Sequence, residues 1–183
     1  MAGKRVEFKL MSLNQCARAC KGCYYPKTGN SFSDFEMARA LADSLVAHEY
    51  ELSTCSLVPT DIFDNPENYS LFDNPVLIGL LSRFRGITLG STLEEGCDHG
   101  LLDRLVSLLP STTIQLQANL VIRRLFDDGY QESLARTLSE VQERYGSRIR
   151  TNLALNMGFD LTEAERARLE EMVRRHRHPD FFL

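Results

Sequence analysis

The chain has 183 residues, a hydrophobic fraction of 43%, a charged fraction of 25% and a net charge of −4. That length allows one domain over residues 1–183 with one sizeable core, and the composition is that of an ordinary globular protein. The negative net charge argues against a field that attracts nucleic acid or anionic lipid. No apolar stretch follows the basic residues of MAGKRVEFKL as in a signal peptide, and no apolar run approaches the length of a bilayer span. We therefore expect a cytoplasmic protein with no membrane or nucleic-acid partner.

Segments with strand-like and helix-like patterns alternate along the chain. The first strand is predicted over Val6–Ser12, and apolar residues from Phe35 to Val46 recur at helical spacing behind a capping pattern of Ser33 and Glu36. A polar loop rich in proline and asparagine is predicted after the second strand. The further strands are predicted at Tyr50–Val58, Ile87–Leu93, Thr113–Leu120 and Ile149–Met157. The further helices are predicted to begin at Pro75 with Asn74 as cap, and to cover about Asp98–Leu108, Tyr130–Tyr145 and, behind a capping box of Thr162 and Glu165, the stretch to about His176.

These segments make five successive βα units without a sign of a hairpin. Such alternation favours a parallel sheet joined by crossover helices, and hence the α/β class. The predicted strand Ile114–Leu120 alternates apolar with amide side chains, which a partial (βα)5–6 barrel explains if the amides point at its interior. An open flavodoxin-like sheet with a few polar positions remains the alternative, although its central strands are normally apolar on both faces. We expect the partial barrel, with its ligand at the C-terminal ends of the strands.

A cluster of cysteines lies directly after the first predicted strand. Cys16, Cys20 and Cys23 have the spacing Cx3Cx2C, and the closest histidine, His48, lies on the first predicted helix. A structural zinc site normally needs four ligands, so this loop lacks one. Three thiolates suit a [4Fe–4S] cluster that leaves one iron open to an exogenous ligand. The loop therefore indicates an iron–sulfur site.

With this loop the chain resembles the radical S-adenosylmethionine (radical SAM) family, whose cluster motif is Cys16-x3-Cys20-x2-Cys23 at the same place after strand one. The succession of βα units also resembles that family. The resemblance implies that S-adenosylmethionine binds the open iron and is cleaved reductively to methionine and a 5′-deoxyadenosyl radical. That radical would abstract a hydrogen atom from a substrate that the sequence does not identify, for which peptide modification is one setting. An external electron donor is implied as well.

The resemblance also implies contacts to the cofactors. The family's Gly-Gly-Glu-Pro stretch is absent after strand two, where Thr60 and Asp61 either accept hydrogen bonds from the ammonium group of S-adenosylmethionine or merely begin a turn. Tyr24 covers the cluster or simply packs. Three amide side chains stand where family members place polar residues against the cofactor: Gln117, Asn119 and Asn156.

Two alternatives and two further expectations remain. The missing Gly-Gly-Glu-Pro stretch also fits a non-catalytic iron–sulfur partner or scaffold subunit of a radical SAM assembly.

Cys55 and Cys97 stand alone and are expected to be buried small hydrophobes. Phe181–Leu183 is expected to be buried as the opening of an incomplete sixth strand, with a partner subunit, a second copy or a missing C-terminal part covering the sheet edge. A frayed tail is the alternative.

Overall fold

A computed structural model describes residues 4–11, 34–58, 61–63, 66–120, 127–155 and 162–175. Within these ranges strands and helices alternate along the chain. The strands are β1 (Arg5–Met11), β2 (Glu51–Val58), β3 (Gly86–Ser91), β4 (Thr113–Leu120) and β5 (Ile149–Leu155). The α-helices are α1 (Phe35–Ala47), α2 (Pro75–Leu81), α3 (His99–Leu108), α4 (Asp128–Tyr145) and α5 (Glu163–Arg175), and 3-10 helices cover Pro66–Asp73 and Gly146–Arg148.

The five strands form one sheet in the order β1-β2-β3-β4-β5, and every neighbouring pair is parallel. Parallel strands that follow one another in chain order are joined by right-handed crossovers, which place the connecting helices on one face. A doubly wound sheet instead reverses its strand order at one point, so that helices cover both faces. The α/β class is therefore confirmed, and the strand order is compatible with a partial βα barrel.

The side chains of the sheet separate into an apolar face and a polar face. On β3 and β4 the residues Ile87, Leu89, Ile114, Leu116 and Ala118 are fully buried and belong to one core with the helices. Their neighbours in sequence are partly buried or exposed, which is the period-2 alternation of a strand with one covered face. We call the opposite, polar side of the sheet, which carries Thr88, Gln115 and Gln117, the inner face.

The predicted helix caps agree with the structure at two helices and differ at one. Asn74 Oδ1 accepts from the backbone N–H groups of Val76 and Leu77 at 2.9 and 3.3 Å, which confirms the predicted cap of α2. The predicted capping pattern of Ser33 was wrong, because Asp34 is the residue that caps α1. Its Oδ1 accepts from the second and third residues that follow it, both at 3.0 Å, and a carboxylate there also suits the helix dipole.

The start of α5 follows the sequence pattern in full. Thr162 Oγ1 accepts from the backbone N–H of Glu165 at 3.2 Å, and Glu165 Oε2 accepts from the backbone N–H of Thr162 at 2.9 Å. These reciprocal bonds satisfy two donors at the helix start, as a capping box does.

Two further features differ from the prediction. β3 ends at Ser91 and not at Leu93, because Leu93 has a φ of 53° and its N–H bonds to Ser91 Oγ at 3.0 Å. The predicted polar loop after β2 contains the 3-10 helix Pro66–Asp73, in which Phe72 is buried. Among the described residues, no helix combines the length and apolarity needed to cross a bilayer.

The central strand should dominate stability. Leu89→Ala should lower the free energy of unfolding by about 2–5 kcal/mol, because a fully buried leucine of the core is truncated. The matched change is Leu108→Ala on α3, where 36% of the side chain is exposed and the cost should stay under about 1 kcal/mol. Urea unfolding measures both. Equal losses in the two variants would contradict the assignment of the apolar face.

Candidate functional site

The residues predicted to hold the cofactors are divided between described and undescribed parts of the chain. The segment with the cysteines follows β1, whose last residue Met11 pairs with Val58 at the C-terminal end of β2. The same edge therefore carries the start of the cysteine segment and the residues after β2. Asp61, Gln117 and Asn119 are described. Six predicted site residues lie outside the described residues, so their roles stay predictions: Cys16, Cys20, Cys23, Tyr24, Thr60 and Asn156. Phe181–Leu183 lies outside them as well.

Asp61 joins the C-terminal ends of β2 and β3. Its side chain is 6% exposed, and its Oδ2 accepts from the backbone N–H and the hydroxyl of Thr92 at 2.7 and 2.8 Å. Its Oδ1 accepts from the N–H of Phe63 at 3.1 Å, which is the geometry of an aspartate turn. The turn that the sequence allowed is thus present, and its carboxylate also anchors the loop after β3. The contact to an ammonium group stays a prediction.

The same network reaches α4. The hydroxyl of Tyr130, near the start of that helix, donates to the carbonyl oxygen of Thr92 at 2.7 Å, and both groups are buried. Because the backbone of Thr92 is held on one side by Asp61 and on the other by Tyr130, the loop after β3 is fixed at the strand ends. Nearby, burial and then the charge of Asp98 raise the pKa of Tyr69 to about 12.

The two described members of the predicted amide set, Gln117 and Asn119, lie together on the inner face. Gln117 Nε2 donates to Asn119 Oδ1 at 2.8 Å, and Gln117 is the register partner of Gly90 on β3 and of Asn152 on β5. The structure thus places Gln117 and Asn119 side by side near the C-terminal end of β4. Asn152 completes the row on β5, and its Oδ1 is buried without a hydrogen-bond partner among the described residues.

Asn152 was missed as a candidate site residue, although a signal for it was present. The sequence Asn152-Leu153-Ala154-Leu155-Asn156 alternates in the same way as β4, so its amides belong on the polar face of the strand. Only the register of β5 against β4 shows that Asn152 lies beside Gln117. The pattern within one strand does not show which residue of the neighbouring strand lies beside a given residue.

A second polar cluster, also missed, lies between α3 and α4. Cys97 Sγ is 3.7 Å from His99 Nε2, and His99 Nδ1 is 3.2 Å from the hydroxyl of Tyr145. The same Nε2 is 3.8 Å from Glu140 Oε2. Cys97 Sγ is also 4.0 Å from His99 Nδ1, so the sulfur lies near both ring nitrogens, and the Glu140 carboxylate approaches the one to which the sulfur is closer. A nucleophile and an orienting acid would instead need opposite nitrogens. Burial is the main cause that raises the pKa of Cys97 to about 11, so this thiol is not an activated nucleophile.

Of the two lone cysteines, Cys55 confirms its predicted role as a buried small hydrophobe, and Cys97 matches it only in part. Cys55 is fully buried, burial raises the pKa of its thiol to about 12, and Cys97 is half-buried. Among the described residues, no group of three or more His, Cys, Asp or Glu side chains is arranged to hold a metal ion. Neither thiol belongs to a metal site within that part of the chain.

Comparison of this chain with models of protein families, with curated proteins and with solved structures found no match.

Asp61 should be important for stability. Asp61→Ala leaves the buried N–H of Thr92 without its acceptor and should lower the free energy of unfolding by about 2–3 kcal/mol. Thr92→Val removes only the hydroxyl bond and should cost about 1 kcal/mol. Denaturant titration of both variants measures this order. A variant lacking the Asp61 carboxylate that is as stable as the wild type would show that the network does not hold the strand ends.

The thiols of Cys55 and Cys97 should react slowly in the folded protein. Raising the pKa of Cys97 from 9.0 to about 11 lowers its thiolate fraction at pH 8, by about a hundredfold at tenfold per pKa unit. Iodoacetamide labelling followed by peptide mass spectrometry should show both sites protected until urea unfolds the chain. Because the unfolded thiol ionises at a lower pH than the folded one, these groups should also lower stability as the pH rises above 9.0. Labelling of folded Cys97 at the rate of the unfolded chain would contradict its raised pKa.

Proposed function

We propose that this chain is a radical SAM enzyme that holds a [4Fe–4S] cluster through Cys16, Cys20 and Cys23 and cleaves S-adenosylmethionine reductively. The observation that carries the proposal is the Cx3Cx2C spacing directly after β1 of a parallel sheet whose strands follow chain order. The C-terminal ends of the strands in such a sheet are where barrel enzymes bind their ligands. The cysteine segment begins at that edge, since β1 ends there at Met11.

The donor set fits this cofactor. Three thiolates at short spacing can ligate three irons of a four-iron cluster, while the fourth iron stays available to a small molecule. Of the two remaining cysteines, Cys55 is fully buried on β2 and Cys97 lies half-buried against His99, so the proposed donor set consists of the three clustered cysteines. When bound, the cluster would supply the electron that breaks a sulfonium carbon–sulfur bond of S-adenosylmethionine.

The residues of the chain bind and orient. Gln117 and Asn119 present amide groups on the inner face, and Asn156 would continue their row on the fifth strand. Thr60 and Asp61 follow β2 at the edge where the cysteine segment starts, so they would meet the amino acid end of S-adenosylmethionine. Tyr24 would shield the cluster from water. An external electron donor and a cytoplasmic setting, with the thiols kept reduced, complete the proposal.

One observation favours a second candidate, a non-catalytic iron–sulfur partner or scaffold subunit. The Gly-Gly-Glu-Pro stretch is absent, and the carboxylate that stands near its place, Asp61, already accepts hydrogen bonds from Thr92 and Phe63. A protein of this class would keep the cluster and lose the cleavage of S-adenosylmethionine. Anaerobic reconstitution with iron and sulfide, followed by an assay for 5′-deoxyadenosine, separates the two candidates.

Removal of one ligand should abolish the cluster. Cys16→Ala, Cys20→Ala or Cys23→Ala should each eliminate the four-iron absorption and the formation of 5′-deoxyadenosine. Cys55→Ala and Cys97→Ala are the matched controls, because their thiols are buried or half-buried parts of the fold. In both controls the four-iron absorption and the formation of 5′-deoxyadenosine should persist. Iron analysis, electron paramagnetic resonance and product chromatography measure the outcome. A Cys20→Ala protein with a complete cluster spectrum and product would refute the proposal.

A further inference from the structure

A row of polar residues crosses the inner face of the sheet. The register aligns Lys9 of β1, Ser56 of β2, Thr88 of β3, Gln115 of β4 and Arg150 of β5. Neighbouring strands lie about 4.8 Å apart, so the two cations at the ends of this row are about 19 Å apart along the sheet. The row therefore offers hydroxyl and amide groups between two positive charges.

Arg150 differs from most other arginines of the fold. Most described arginines form an ion pair, for example Arg83 with Asp43 and Arg144 with Asp103. Arg150 is exposed and forms neither an ion pair nor a side-chain hydrogen bond within the described residues. An arginine presents five N–H donors in a planar fork that matches a carboxylate or a phosphate. With respect to the described part of the chain, Arg150 is thus a donor group on the inner face that no acid or acceptor occupies.

Gln115 adds a donor beside Arg150. The hydroxyl of Thr88 donates to Gln115 Oε1 at 3.0 Å, which fixes that oxygen as the acceptor end of the amide. The Nε2 group is the other end of the amide, and its two N–H donors are not used by Thr88. Since Gln115 and Arg150 are direct register partners on adjacent strands, their donors lie within reach of one oxyanion.

Asn152 supplies a hydrogen-bond acceptor, whereas Arg150 and Gln115 supply donors. It lies two residues after Arg150 on the same face, about 6.8 Å along the strand, and its Oδ1 is buried with no donor among the described residues. A buried acceptor without a donor is destabilising, so natural proteins retain few of them. A ligand with an O–H or N–H group would satisfy it.

We infer that the inner face at Gln115, Arg150 and Asn152 binds a small oxyanion that also carries a hydroxyl or amine donor. The oxyanion, a phosphate or a carboxylate, is held by Arg150 and Gln115, and the donor group bonds to Asn152. Glu7 is the acidic residue of β1 on this face and lies two residues before Lys9. Because β1 is four strands away from the strand of Arg150, Glu7 does not neutralise the site. The identification of this ligand as the substrate rests on the proposed function. In a radical SAM enzyme, the ligand would be the substrate or its anionic part.

Titration calorimetry of the purified full chain at low ionic strength tests the anion contact. The probes are glycerol 3-phosphate and glycerate, which distinguish phosphate from carboxylate, and glycerol, which lacks the anion. At least one anion should bind, glycerol should not, and Arg150→Gln should weaken binding at least tenfold. Arg136→Gln is the matched control, because Arg136 is an exposed arginine on α4 without an ion pair in the described residues, and it should bind as the wild type does. Absence of binding to the wild type, or equal weakening by both changes, overturns the inference.

Asn152→Leu tests the donor contact. Removing a buried acceptor that has no donor should raise the thermal midpoint of the free protein, whereas binding of the preferred hydroxyl-bearing anion should weaken. Ethyl phosphate or propionate, which lack the hydroxyl, should bind equally to wild type and variant. A merely structural Asn152 would instead lower the midpoint when replaced, and that result refutes the donor contact.

These measurements need neither the cluster nor S-adenosylmethionine, so the two proposals fail separately. Formation of 5′-deoxyadenosine without binding of any probe overturns this inference and leaves the proposed function intact. Probe binding that depends on Arg150, in a protein that forms no four-iron cluster, retains the anion site and overturns the proposed function.

Discussion

The strands of this protein lie in the sheet in the same order as in the chain, and this order governs the rest of the structure. Right-handed crossovers then send each helix to the same side, so one face of every strand packs into the core and the other is left for polar groups. Ile114, Leu116 and Ala118 are buried, while Gln115 and Gln117 between them are only partly buried. A doubly wound sheet would have to bury those amides beneath a second layer of helices, at the desolvation cost of each group that lacked a partner.

The loops at the strand ends meet a different demand. A strand end leaves backbone donors that the sheet no longer satisfies, and a buried loop must pair them. Asp61 does so for Thr92, and Tyr130 donates to the carbonyl of the same residue. One carboxylate thus connects the ends of β2 and β3, and one hydroxyl connects that junction to α4. The edge at which ligands of such sheets bind is held by side chains that come from far apart in the sequence.

The sequence predicted best those features that depend on neighbouring residues. The strand Thr113–Leu120 and the caps Asn74 and Thr162 are local patterns, and the structure reproduces them. The cap of α1 was placed one residue early, since Ser33 and Asp34 are both good caps and only the carboxylate geometry distinguishes them. The end of β3 could not be predicted, because Thr92 leaves the strand to bond a residue 31 positions earlier. The strand order and the register that sets Asn152 beside Gln117 are likewise non-local.

A binding site whose residues are brought together only by strand pairing leaves no motif in the sequence. The iron–sulfur prediction depends on three cysteines that are close in sequence, whereas the inner-face site depends on Gln115 and Arg150, which are adjacent only through strand pairing. Stability alone does not account for the polar groups there. An exposed arginine without an acid contributes little to folding, and a buried amide oxygen without a donor reduces stability. Polar groups of one face that add little to stability, or reduce it, are the groups that a ligand would satisfy, because its bonds replace those that the folded chain does not make.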